Sequence, residues 1–70
     1  NPASSSIKIR APQEGNRIVI YSSHGSIVWQ SGKWQEEEFN IDVSGWSSGM
    51  YYYQIEQNNK ANLSGKFLIE

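Results

Sequence analysis

The chain has 70 residues and no cysteine, so it holds a single domain that no disulfide and no Cys-based zinc site can reinforce. Seven acidic and six basic residues leave a net charge of −1, without the basic footprint of a nucleic-acid binder. No apolar run approaches the roughly 18 residues of a membrane span, and the polar opening Asn1-Pro2-Ala3-Ser4-Ser5-Ser6 does not read as a signal peptide.

A domain this short buries a modest share of its surface. Its core must come from aromatic and β-branched residues, and aromatics make up 13% of the chain. Residues 1–6 read as the end of a linker, with one domain over residues 7–70. Ile7 and Ile9 alternate with Lys8 and Arg10, which predicts a first strand with one wet face. Pro12 and Gly15 then interrupt the alternation. Arg17-Ile18-Val19-Ile20-Tyr21 is apolar on both faces and reads as a central strand. Ser22-Ser23-His24-Gly25-Ser26 has hairpin length, and Gly25 is placed where a Cβ would clash at positive φ. Ile27-Val28-Trp29-Gln30 is the returning strand. Trp34-Gln35-Glu36-Glu37 is ambiguous, and the run Glu36-Glu37-Glu38 reads as solvated. Phe39, Ile41 and Val43 alternate with Asn40 and Asp42 as a fourth strand. Residues 44–49 form a turn whose Trp46 plugs one end of the core.

Residues 50–56 carry the clearest strand signal, with Tyr51, Tyr53 and Ile55 on one face and Tyr52, Gln54 and Glu56 on the other. After a turn at residues 57–60, a last strand runs over about residues 62–69, with a bulge expected at Gly65. Six to seven short strands with no amphipathic helix predict an all-β fold, a small immunoglobulin-like antiparallel β-sandwich.

Candidate catalytic chemistry is sparse. The single histidine, His24, lies in a predicted turn beside Ser22 and Ser23, where sequence neighbours diverge and do not assemble a triad. One histidine without cysteine makes a poor transition-metal site, no calcium-loop spacing is present, and no glycine-rich loop precedes a helix. No cofactor is expected. Trp29, Trp34 and Trp46, with Tyr52 on the wet face of its strand, are candidate ligand-facing aromatics, because exposed rings on one face could stack on sugars. Core packing of Trp29 and Trp46 is the simpler reading.

The order of these motifs resembles the C-terminal sorting domain of type IX secretion (the Por system, type A family) along nearly the whole chain. The resemblance is carried by Asn1-Pro2-Ala3, by Ile7 and Ile9, by Ile18-Val19-Ile20-Tyr21, and by His24-Gly25 before Ile27-Val28. Its most specific part is Ile41-Asp42-Val43-Ser44, then Trp46, then Gly49-Met50-Tyr51-Tyr52-Tyr53. It closes on Lys66-Phe67-Leu68-Ile69-Glu70. Ser22 and Ser26 replace residues that are commonly acidic and Lys in that family, and Trp46 replaces a leucine. The sorting-motif residues so identified are Asn1, Pro2, Gly25, Ile41, Asp42, Val43, Gly49, Tyr51, Tyr53 and Lys66.

The resemblance implies a non-catalytic export signal. The full-length protein would cross the inner membrane by a separate signal peptide. This domain would then direct the preceding cargo domain through the outer-membrane type IX translocon. A sortase would remove the domain, leaving the cargo secreted or at the cell surface. The implied partners are translocon components, a shuttle protein and the sortase, with no nucleic acid and no direct membrane span. The alternatives are a carbohydrate-binding module and a fibronectin-type spacer domain.

Overall fold

The computed structural model describes residues 6–11, 15, 17–32, 38–57 and 60–70. Among these residues are six strands: β1 (Ser6–Arg10), β2 (Arg17–Ser22), β3 (Ile27–Gln30), β4 (Glu38–Asp42), β5 (Gly49–Glu56) and β6 (Leu63–Ile69). They form two antiparallel sheets, a two-stranded β1-β4 sheet and a four-stranded sheet in the order β3-β2-β5-β6. This is the all-β antiparallel sandwich that the strand spacing predicts.

Strand alternation decides which side chains meet. In the small sheet Ile7 opposes Ile41 and Ile9 opposes Phe39. In the large sheet Ile18 opposes Ile55, Ile20 opposes Tyr53, and Tyr51 opposes Phe67. The core gathers Ile9, Ala11, Ile18, Ile20, Ile41, Val43, Tyr51, Ile55 and Ile69, with Ile7, Trp29, Phe39, Trp46, Tyr53 and Phe67 packed around it. Each fully buried aliphatic side chain contributes roughly 1.5–3 kcal/mol relative to an exposed one. That burial is the main force holding the sheets together in a chain without disulfides.

β2 is buried on both faces, as its composition predicts. It lies between β3 and β5, and Ile18, Val19 and Ile20 are each 0% exposed. Val19 points away from the core, flanked in register by Gln30 and Gln54. Beside it Arg17 ties three strands together. Its Nη2 and Nε donate to Glu56 Oε2 at 2.8 and 3.2 Å, and its Nη1 donates to Gln30 Oε1 at 3.4 Å. The pair is open to water, so it adds little to stability.

The bulge expected at Gly65 is not there. Gly65 stays in register opposite Tyr53, and the reason is steric. The Tyr53 ring lies over Gly65, so that a Cβ at this position would collide with it, with Cε2 only 2.7 Å away. The ring covers the backbone that the missing side chain exposes, an aromatic rescue of a strand glycine. The register shift falls instead between β2 and β3. Ile20 opposes Trp29 and Tyr21 opposes Ile27, leaving Val28 as the extra residue. Trp29 thereby packs against the core while Ile27 and Val28 stay exposed.

Gly65→Val is expected to expel the Tyr53 ring and destabilise the fold by about 1–3 kcal/mol. Combined with Tyr53→Leu, the loss should fall short of the sum of the single variants, because both act on one contact. Thermal melts of the three variants check this, and strict additivity would refute it.

Candidate functional site

The expected motif residues that the structure describes fall mainly into two places. At one end of the sandwich, the β2-β3 hairpin tip and the β4-β5 connection face each other. Ser22 organises the tip. Its N–H donates to Ser26 O at 2.8 Å and its carbonyl accepts from Gly25 N–H at 2.9 Å. Its Oγ accepts from the N–H groups of His24 (3.2 Å) and Ser26 (3.4 Å). Gly25 sits at φ 87°, the left-handed conformation its place in the hairpin demands. His24 is exposed on this tip.

Across from it, Ile41 and Val43 anchor the other connection, each 2% exposed. Val43 lies just past the end of β4. Asp42 faces water between them, and its Oδ1 accepts from Ser44 N–H at 2.9 Å and Ser44 Oγ–H at 2.7 Å. This is an Asx turn, continued by a bond from Trp46 N–H to Val43 O at 3.0 Å. The Ser44 hydroxyl first, and the Ser44 amide second, hold the Asp42 carboxyl below its ordinary value of 3.8. Since the folded value lies below the unfolded one, the turn's contribution is complete above the ordinary carboxylate range. It is lost as pH falls through the lowered folded value. Asp42→Asn is expected to flatten the acid limb of a pH-stability profile, and an unaltered acid limb would count against this origin.

Trp46 and Tyr51 close this end, with ring centroids 5.3 Å apart. Tyr51 stacks on Phe67 at 5.6 Å and 14°, and its hydroxyl donates to Ser47 O at 2.7 Å. A buried tyrosine ring commonly has its hydroxyl satisfied in this way. Between the hairpin tip and this turn lies an open cleft of about 490 Å³. Ser22, His24, Val28, Trp46 and Gly49 are among the residues lining it.

The second place is the outer face of the large sheet. Lys66 is exposed on β6, opposite Tyr52 of β5, which is 45% exposed. Together with Tyr21, Gln54 and Ser64 they line a shallow groove of about 420 Å³. Alternation along each strand does not by itself group Tyr21 with Tyr52 and Lys66. The signal was present in the alternation, since Tyr21 and Tyr52 occupy outward positions of their strands, but only the β2-β5 pairing puts them opposite one another.

Of the candidate ligand-facing aromatics, the three that the structure describes, Trp29, Trp46 and Tyr52, do not share one exposed face. Trp29 packs edge-on against Phe39, with centroids 6.3 Å apart and planes at 77°, and Trp46 packs against Tyr51. Tyr52 stands on the opposite face of the sheet from these core-facing rings. Trp34, like Asn1 and Pro2, lies outside the described residues. No group of three or more metal-ligating side chains occurs among the described residues.

Along residues 1–70 the chain matches the family described as the secretion system C-terminal sorting domain. No curated protein and no solved structure matches it.

Proposed function

The chain belongs to the secretion system C-terminal sorting domain family, and on that premise we propose that it works as a non-catalytic, folded signal that the outer-membrane type IX translocon reads. Membership indicates a type IX sorting signal on a secreted or cell-surface cargo, one that engages the secretion machinery. The finer steps are our reading: passage of the preceding cargo domain through the translocon, hand-over by a shuttle protein, and removal of the domain by a sortase. The observation that carries this reading is the extent of the family match, which spans residues 1–70.

Physical features support it. A signal read in folded form needs a rigid scaffold and exposed groups in fixed positions. Here the motif residues Ile41, Val43 and Tyr51 are core, Gly25 and Gly49 set backbone direction at positive φ, and Lys66 is presented on the surface. These five motif residues thus build the shape, while Lys66 is free to be contacted.

The test is export of a fluorescent reporter carrying an inner-membrane signal peptide and residues 1–70, in a type IX-competent host. The reporter should reach the surface or the medium, and deletion of residues 66–70 should retain it in the periplasm. Export that survives the deletion would favour a spacer domain. Retention of the complete fusion, with the domain folded and binding a polysaccharide in a glycan panel, would favour a carbohydrate-binding module.

A further inference from the structure

The two edges of the large sheet are unlike. The β3 edge is four residues long and broken by a bulge. Short and bulged strands are ways in which proteins blunt an edge against pairing with other chains. The β6 edge has neither device. β6 is seven residues long, keeps regular register with β5 from Leu63 to Ile69, and has no strand on its other side among the described residues. A strand paired on one side only leaves alternate backbone N–H and C=O groups facing outward. Their chemistry selects one kind of occupant, an extended peptide that completes the ladder.

The side chains of β6 narrow the choice. Ser64, Lys66 and Leu68 face outward from the sheet, and Leu68 is 51% exposed. Lys66 is exposed and forms no salt bridge with a described residue, whereas Arg17, on the same face, is neutralised by Glu56. A second copy of this chain fits poorly. In an antiparallel β6-β6 pair that keeps the faces aligned, the well-overlapped registers set the two Lys66 side chains directly opposite or diagonal to one another. Like charges so placed repel. A strand with an acidic side chain opposite Lys66 and an apolar one beside Leu68 satisfies both positions.

We propose that the β6 edge is a strand-addition site for a partner segment that carries an acidic and an apolar side chain two residues apart on one face, with Lys66 setting its register and excluding a second copy of this chain. The identification of that segment with the secretion machinery rests on the sorting function proposed above. The strand-addition chemistry does not.

The test uses the 70-residue chain in solution, without a secretion host, so its failure is separable from failure of export. The probe is a short synthetic peptide of alternating threonine and valine with one central glutamate, and the control carries a central lysine. In an NMR titration the glutamate peptide should shift the backbone amides of Leu63–Ile69 and slow the exchange of the alternate amides that face away from β5, leaving β3 unaffected. Lys66→Glu, at an exposed position, should melt like the parent. It should weaken the glutamate peptide by about tenfold and bind the lysine peptide instead. Four results would overturn the proposal: no shift in β6 with either peptide, shifts centred on β3, equal response to both peptides, or concentration-dependent protection of β6 in the chain alone.

Discussion

Tyr51→Ala is expected to remove a large share of the domain's stability. The Tyr51 ring is 6% exposed and lies between Trp46 and Phe67, so truncation strands two aromatic neighbours as well as removing a ring. Aromatic-to-alanine changes in a core cost about 3–5 kcal/mol. A domain of this size has only about 4–10 kcal/mol of total stability. The melting temperature should therefore fall by roughly 12–40 °C, at about 4–8 °C per kcal/mol for a small domain. Tyr51→Phe separates packing from polarity. It keeps the ring and removes only the hydroxyl that donates to Ser47 O, at a cost of about 1 kcal/mol. A Tyr51→Ala variant that melts within a few degrees of Tyr51→Phe would show that the ring is not the keystone of this end.

Gly49→Val is expected to lose about 1–3 kcal/mol for a different reason. Gly49 opens β5 at φ 143°, a region that residues with a Cβ rarely adopt. The space around it is empty, since a Cβ there would meet nothing within 4 Å. The cost is therefore backbone strain and not collision. Gly49→Ala should cost nearly as much as Gly49→Val, with the β-branch adding little. If instead the loss grew steeply from alanine to valine, crowding would be the cause. An unchanged melting temperature in both would remove the constraint altogether.

The contrast between these two residues shows what the sequence made legible. Alternation in residues 50–56 assigned Tyr51, Tyr53 and Ile55 to the core side, and the structure keeps them there. The apolar run Ile18-Val19-Ile20 announced a central strand for the same reason, since only burial on both faces explains it. Gly25 was legible from hairpin length, and its φ is positive.

Gly65 was misread because a lone strand glycine has two physical explanations, a bulge or a covered backbone. Deciding between them requires knowing that Tyr53 is its cross-strand neighbour. The bulge in β3 left no glycine signature at all, because Val28 is an ordinary strand residue by composition. The division of strands between sheets was equally out of reach. The β1-β4 pairing joins Ile7 to Ile41 across the whole β2-β3 hairpin, and local periodicity carries no information on such partners. Of the candidate site, the scaffold residues could be read in advance. The Tyr21, Tyr52 and Lys66 groove could not, since each residue comes from a different strand.

The most direct measurement of the sorting role compares surface delivery of the reporter fused to residues 1–70 in a type IX-competent host with delivery in a strain lacking the translocon. The account predicts reporter outside the cell in the first strain and held in the periplasm in the second. Equal delivery by both strains, or periplasmic retention in both with the domain shown to be folded, would contradict it.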